Sequence, residues 1–348
     1  MTPYQRLMKT VKKEPVDRPP LICPGGMMTM AVKDVMQLLN VYWPSAHEDP
    51  CLMAQLTRGM ADLAGIENLG VPFCMTVEAE GMGAGVDLGH QTREPHVIRY
   101  PMKNMADMDR LSPLDTGIGR AAVCCDAIRI LKQAETDLPI LANLPGPASL
   151  ATSLVDPMRY YRSVHRDKKA IHELTRFCTD QVIRFGDAMI DAGAEIICIA
   201  DPSATGDLLG PTAFSEFVLP YLNRMTRHFQ EVKNVPVIVH ICGKIKKTGT
   251  LIKEMDAQVI SVDSVVGITS LHGLAPDKVT MGNISTYTLE LGTPEKVEKA
   301  GRSCLRNGVD ILAPACGISP LTPLANLKCL SNLVATFNTS PDTKEKNI

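Results

Sequence analysis

The stretch Asp187-Ala188-Met189-Ile190-Asp191-Ala192-Gly193 runs directly into Ala194-Glu195-Ile196-Ile197-Cys198-Ile199-Ala200, and the rest of the architecture follows from this junction. Upstream of it, Ile171, Leu174, Phe177, Cys178, Val182, Phe185 and Met189 recur at mostly three- and four-residue spacing, the period of one apolar helix face. Gly193 stands where a helix ends on a glycine. The apolar run after it reads as a short strand buried on both faces. A helix that turns into such a strand is the unit of a parallel sheet covered by helices.

The same grammar recurs outward in both directions. Thr250 to Asp256 leads into Val259-Ile260-Ser261-Val262, Arg302 to Gly308 into Val309 to Pro314, and Leu56 to Gly65 into Ile66 to Val71. Apolar runs bounded by turn residues fall at Pro20–Cys23, Asn68–Val71, Pro139–Leu144, Ile196–Ala200, Val235–Ile241, Val259–Val262, Val279–Met281 and Asp310–Ala313. Strands alternating with crossover-length segments in this number predict an α/β fold, a (β/α)8 TIM barrel. No Gly-x-Gly-x-x-Gly follows the first run to favour an open dinucleotide-binding sheet. Residues 1–337 are read as one barrel domain with an N-terminal extension. At about 72–118 the rhythm breaks, which reads as an insertion after the second strand, and 338–348 read as a polar tail.

Composition narrows the function. Of 348 residues 45% are hydrophobic, and 36 Lys+Arg stand against 38 Asp+Glu for a net charge of -2. Nucleic acid and anionic membrane surfaces call for a basic excess that is missing here, so a small-molecule substrate is expected. No apolar run approaches the roughly 18 residues of a membrane span, and Met1 to Asp17 lacks the apolar core of a signal peptide. A cytoplasmic protein is expected. Its 11 Cys then read as buried thiols or metal ligands rather than disulfides.

The sharpest chemical signal is Val235-Pro236-Val237-Ile238-Val239-His240-Ile241-Cys242-Gly243. Strand periodicity puts His240 and Cys242 on one face at the carboxyl end of the fifth strand, and Cys316, in Leu312-Ala313-Pro314-Ala315-Cys316-Gly317, stands at the same end of the eighth. That end of a barrel gathers catalytic groups. Two thiolates and an imidazole suit zinc, and three protein ligands leave a position open, as catalytic zinc requires. The 74-residue separation of Cys242 and Cys316 excludes a finger-type structural site. The alternative is a hydrogen-bonded strand-end His with cysteines acting as small hydrophobes.

Several motifs together carry a resemblance: Pro44-x-Ala46-His47, Pro72-Phe73-Cys74-Met75-Thr76-Val77, Ile199-Ala200-Asp201-Pro202, Val239-His240-Ile241-Cys242-Gly243-Lys244, Gly282-Asn283-Ile284-Ser285, and Leu312 to Pro323. Over essentially residues 3–335 the chain resembles the uroporphyrinogen decarboxylase superfamily, and within it the methylcobamide:coenzyme M methyltransferases. The resemblance implies one zinc ion held by His240, Cys242 and Cys316, which would be catalytic through that metal. It also implies a methylated corrinoid such as methylcobalamin as donor, carried on a corrinoid protein, and a thiol acceptor, first of all coenzyme M. Relatives carry a glutamate where this chain has Asp263. The resemblance makes that carboxylate a fourth zinc ligand in the absence of thiol, whereas an Asp at a strand end also reads as a cap on the next helix.

Asp201 and Asn283, after the fourth and seventh strands, are candidates for substrate binding or for closing turns. Lys244 and Ser285 are candidates for holding a sulfonate. Glu78 and Glu80, in a Gly-rich stretch, either bracket a site or form a solvated loop, and the loop is the first reading. Cys23-Pro24-Gly25-Gly26-Met27-Met28-Thr29-Met30 suits the flat apolar face of a corrin, or plain packing. It lacks the paired arginines with which the decarboxylases clamp their substrate, and Arg18 precedes the strand, so porphyrinogen decarboxylation is disfavoured. Tetrahydrofolate or homocysteine as acceptor, or decarboxylation of a smaller acid, are the rival readings.

Overall fold

The computed structural model describes residues 1–24 and 30–337. Gly25 to Thr29, the centre of the Met-rich segment expected to face a corrin, and the polar tail 338–348 lie outside the described residues. In chain order the strands are β1 (Leu69–Val71), β2 (Gly85–Asp87), β3 (His96–Arg99), β4 (Ile140–Pro145), β5 (Ile196–Ala200), β6 (Val237–Ile241), β7 (Val259–Val262), β8 (Val279–Ile284) and β9 (Ile311–Pro314). Seven of them form one parallel sheet in the order β1-β4-β5-β6-β7-β8-β9. β2 and β3 pair antiparallel with each other.

The eighth barrel position, expected as a strand at Pro20–Cys23, is one parallel bridge between Leu21 and Leu312. Ile22 N–H donates to Leu312 O and Leu312 N–H to Pro20 O, while on the other side Glu67 N–H donates to Leu21 O. The ring is thereby closed between β9 and β1. Pro19, Pro20 and Pro24 have no N–H to donate, which keeps this segment from extending a ladder. The curled sheet is a (β/α)8 barrel.

Alternate residues of the strands point inward. Ile22, Leu141, Ile196, Cys198, Ile238, Val259, Val279, Met281, Ile311 and Ala313 form one interior cluster with Leu7 and Val11. Those last two belong to the helix Pro3–Val11, whose first turn is closed by a Thr2/Gln5 capping box. The N-terminal extension therefore plugs the end of the barrel where the strands begin. Arg6 fastens it by ion pairs to Glu67 and Asp17.

Helix Lys168–Ala192 covers the outer face with Ile171, Leu174, Cys178, Val182, Phe185 and Met189 buried, the face expected from their spacing. It stops at Gly193, whose φ of 122° is a conformation that side chains disfavour. Between β1 and β4 lie a short helix (Val77–Gly81), the β2–β3 hairpin and a 3-10 turn (Met105–Arg110).

Candidate active site at the carboxyl ends of the strands

The inward register carries straight into the site. Ile238 points into the barrel, so His240, two residues on, does too, at the mouth; Ser261 follows Val259 in the same way. The β6–β7 register sets His240 opposite Ser261, and their side chains meet, Nδ1 to Oγ at 3.0 Å. When Nδ1 carries the proton and donates it to Ser261, the Nε2 lone pair is free to act as a ligand. Nε2 lies 3.0 Å from Cys242 Sγ, and Cys242 Sγ lies 3.8 Å from Cys316 Sγ. Among the described residues these are the groups whose ligand atoms converge, all within 4.8 Å of one another. His240 and Cys242 are buried and Cys316 is half-buried.

The two thiols differ. The hydrogen bond from Cys242 holds the Cys316 thiol well below its usual range, with help from His240 and the Gly317 amide. The same contact, together with burial, pushes the Cys242 thiol up. The two thiols thus differ in how readily each gives up its proton. All 11 cysteines are free.

The other expected site residues hold the frame. Asp263 Oδ2 accepts from Gly243 N–H at 3.1 Å and Oδ1 from Val265 N–H at 3.1 Å. It caps its own turn and ties down the loop bearing Cys242. Asn283 donates to the carbonyls of Asp263 and Val266. Asp201 is fully buried and accepts from Ser149 N–H, Ser149 Oγ and Ala148 N–H at the start of helix Pro147–Leu154. Burial raises its carboxyl to about 6 against these hydrogen bonds. Lys244 is exposed and Ser285 half-buried.

Glu78 corrects the solvated-loop reading. It is fully buried with neither oxygen bonded, and burial pushes its carboxyl up to about 8. Nearby Arg120, also buried, donates to Glu80 Oε2 at 2.5 Å, to Cys74 Sγ at 3.2 Å and to Thr76 Oγ1 at 3.0 Å. Sequence reasoning missed Arg120, because one Arg at the start of an amphipathic helix carries no local mark of what it faces. Arg18 pairs with Glu67 ahead of β1, at the opposite end of the barrel.

Comparison with known proteins gives this arrangement its lineage. The sequence model of the family described as uroporphyrinogen decarboxylase (URO-D) matches residues 2–337. The chain belongs to that family. It is 33% identical over 329 residues to the methylcobamide:CoM methyltransferase MtbA of Methanosarcina acetivorans, covering 94% of this chain and 96% of the relative. A methylated-thiol--coenzyme M methyltransferase of Methanosarcina mazei is 31% identical, over 94% of this chain and 88% of the relative. Within the URO-D family the chain thus falls in the methylcobamide:coenzyme M methyltransferase branch and is a methyltransferase. A solved methyltransferase from Methanosarcina mazei superposes with a TM-score of 0.88 at 28% identity, covering 96% of this chain and 98% of the other. Among the described residues of this URO-D protein no helix is long and apolar enough to cross a membrane.

Proposed function

We propose that this enzyme moves a methyl group from a methylated corrinoid, presented by a separate corrinoid protein, to a small thiol, and that His240, Cys242 and Cys316 hold the zinc ion which activates that thiol. The observation that carries the reading is the convergence of the three ligand atoms within 4.8 Å at the strand ends. The donor set fits the ion, because two thiols and an imidazole are ligands zinc favours and three of them leave a position for a substrate. Zinc bound there supplies the charge that keeps a thiol deprotonated near neutral pH.

The chain's own residues do the rest by placement. Ser261 orients the His240 ring, and Asp263 holds the Cys242 loop through Gly243. Asp263 is also our candidate for the fourth ligand when no thiol is present. Asp201 and Asn283 act as positioning groups, since their polar atoms are engaged with neighbouring segments. In the transfer a sulfur–carbon bond forms as the cobalt–carbon bond breaks, the electron pair stays with cobalt and the thiol proton passes to solvent. The mouth has only to bring sulfur and methyl into line at near-contact distance.

Coenzyme M is the acceptor we put first, because the relatives in this branch act on it by name. Parallel assays with homocysteine and tetrahydrofolate decide between it and the rivals. Exposed Leu208, Val265, Tyr287 and Leu321 stand in the segments that follow β5, β7, β8 and β9, an apolar rim suited to a partner bearing a corrin.

Zinc analysis by atomic emission, with X-ray absorption to count sulfur ligands, tests the reading. About one zinc per chain is expected, with the sulfur count rising by one when coenzyme M is added. Cys316→Ser should lose most of the metal and the transfer activity. Full zinc content and full rate in that variant would refute the ligand assignment.

A further inference from the structure

The helix Pro157–Arg166 stands at the carboxyl ends of the strands, and the path of the chain shows why. It follows the helix Pro147–Leu154, which starts where β4 ends, and precedes the helix Lys168–Ala192. That long helix feeds the first residue of β5, so its 25 residues run roughly 37 Å along the barrel away from the same face. Tyr161 fixes the shorter helix in place, its hydroxyl donating to Ser203 O at 3.0 Å in the turn after β5. With 3.6 residues per turn, Tyr160 and Val164 point into the protein, while Met158, Arg159, Arg162, His165 and Arg166 share the opposite, exposed side.

A second basic segment lies across that turn. Lys244, Lys246 and Lys247, all exposed, begin two residues after Cys242, and Ile245 among them is buried and anchors the loop. The turn after β5 comes close to this loop: a Cβ on Gly243 would lie 3.5 Å from Thr205 Cβ, and one on Gly206 would lie 3.2 Å from Lys244 O. The arginine helix and the lysine loop therefore flank residues 201–208, beside the Cys–His cluster. Among the described residues none of these three arginines and three lysines has an acidic partner. The nearby acids are engaged elsewhere: Asp156 and Asp167 cap helices, Glu216 pairs with Lys168, and Asp263 holds Gly243. Asp207 is the exposed, unpaired acid of residues 201–208.

We propose that this basic arc docks an acidic face of the corrinoid protein, so that the carried methyl group is turned toward the Cys–His cluster. The proposal rests on the methyl-transfer reading above and names the surface on which the carrier is received. Cations gathered on one arc of a chain whose net charge is -2 complement an acidic partner, speed its approach and fix its orientation. Arginine and methionine, which share the outer side of Pro157–Arg166, are residue types that protein interfaces favour. A membrane surface fits worse. A helix lying on lipid turns its apolar side outward, whereas here Tyr160 and Val164 are buried in the protein and Met158 is left alone among the cations.

The test compares two methyl donors: free methylcobalamin, and corrinoid proteins of the enzyme's own organism loaded with methylcobalamin. The zinc-loaded enzyme is assayed beside its Arg159→Glu/Arg162→Glu/Arg166→Glu and Lys246→Glu/Lys247→Glu variants. Salt is raised from about 0.02 to about 0.5 M, over which the screening length falls from about 20 Å to about 4 Å. In the wild type kcat/KM for the methylated corrinoid protein should fall about tenfold over that range. At low salt each variant should lose about tenfold in kcat/KM for that donor, through KM, and most of the salt dependence. The calorimetric Kd for the corrinoid protein should rise by the same factor. With free methylcobalamin both variants should stay within about twofold of wild type, which also shows that they fold. Equal losses on both donors overturn the proposal, as do variants that match wild type with the corrinoid protein at low salt. It is also overturned if wild type binds vesicles of phosphatidylcholine and phosphatidylserine and the variants lose that binding with unchanged corrinoid-protein kinetics, a result that assigns the arc to a membrane. If wild type takes a methyl group from free methylcobalamin but from none of the corrinoid proteins, the docking proposal fails and the methyltransferase reading stands. If neither donor serves, that reading falls and the proposal with it.

Discussion

Two buried side chains near the mouth, Glu78 and His47, set opposite limits on the pH range in which the fold is stable. Burial raises the Glu78 carboxyl to about 8 and lowers the His47 imidazole to about 3. Between the ordinary carboxyl range and pH 8, folded Glu78 keeps a proton that the unfolded chain has lost, so this residue makes stability fall as pH rises. His47 acts the other way: between about 3 and its ordinary range the unfolded chain binds the proton that the fold excludes, and stability falls as pH falls. Glu78→Gln should remove the upper limit. From pH 5 to 8 the wild type should lose about 3 kcal/mol through this residue, and the variant close to none. Chemical denaturation at the two pH values checks this, and parallel losses in both proteins would contradict it. No local pattern marks Glu78, because the glycines that follow it, Gly81 and Gly83, are as common in solvated loops as at the end of a short helix.

Among the elements, β4, β5 and helix Pro147–Leu154 meet closely beside the site. Asp201, at the end of β5, takes the first amides of that helix, which are free to donate because a helix start leaves them unpaired. This capping from another element works only because Gly146 has no side chain: a Cβ there would stand 2.3 Å from the Asp201 carboxylate. Gly146→Ala should therefore cost about 2–3 kcal/mol and lower transfer activity, with the zinc content retained. Thermal unfolding with metal analysis separates the two effects, and a variant as stable as wild type would contradict the packing argument. The elements themselves were largely readable in the sequence. Helix Lys168–Ala192 carries a periodicity, and β5 a continuous apolar run behind a helix-ending glycine, that mark them in the sequence, whereas the Pro20–Cys23 segment looks like a strand by apolarity and is cut to one bridge by its flanking prolines.

For the whole molecule, the βα segments form a working face around the Cys–His cluster, and the opposite end is sealed by the Pro3–Val11 helix. Tyr287, 76% exposed in the segment that follows β8, belongs to the rim proposed to receive the corrinoid protein. Tyr287→Asp should raise KM for the methylated corrinoid protein about tenfold, the effect of losing one interface anchor. The kinetics with free methylcobalamin should stay unchanged. Equal effects on both donors would place Tyr287 in the chemistry rather than in docking.

The strand rhythm, the barrel, and the His240–Cys242–Cys316 triplet were legible from residues alone, because hydrophobic period and strand parity are local properties that place a side chain on a face and at an end. Convergence of Cys316 with a pair 74 residues away followed once the strands were counted into a ring. What only the tertiary structure decided were the partners drawn from distant segments: Ser261 against His240, Asp201 capping a helix behind Gly146, and Arg120 behind Cys74 and Thr76. Each depends on which side chains from separate elements come within a few ångströms of one another. That distance is set by how the elements pack, and no period in the sequence encodes it.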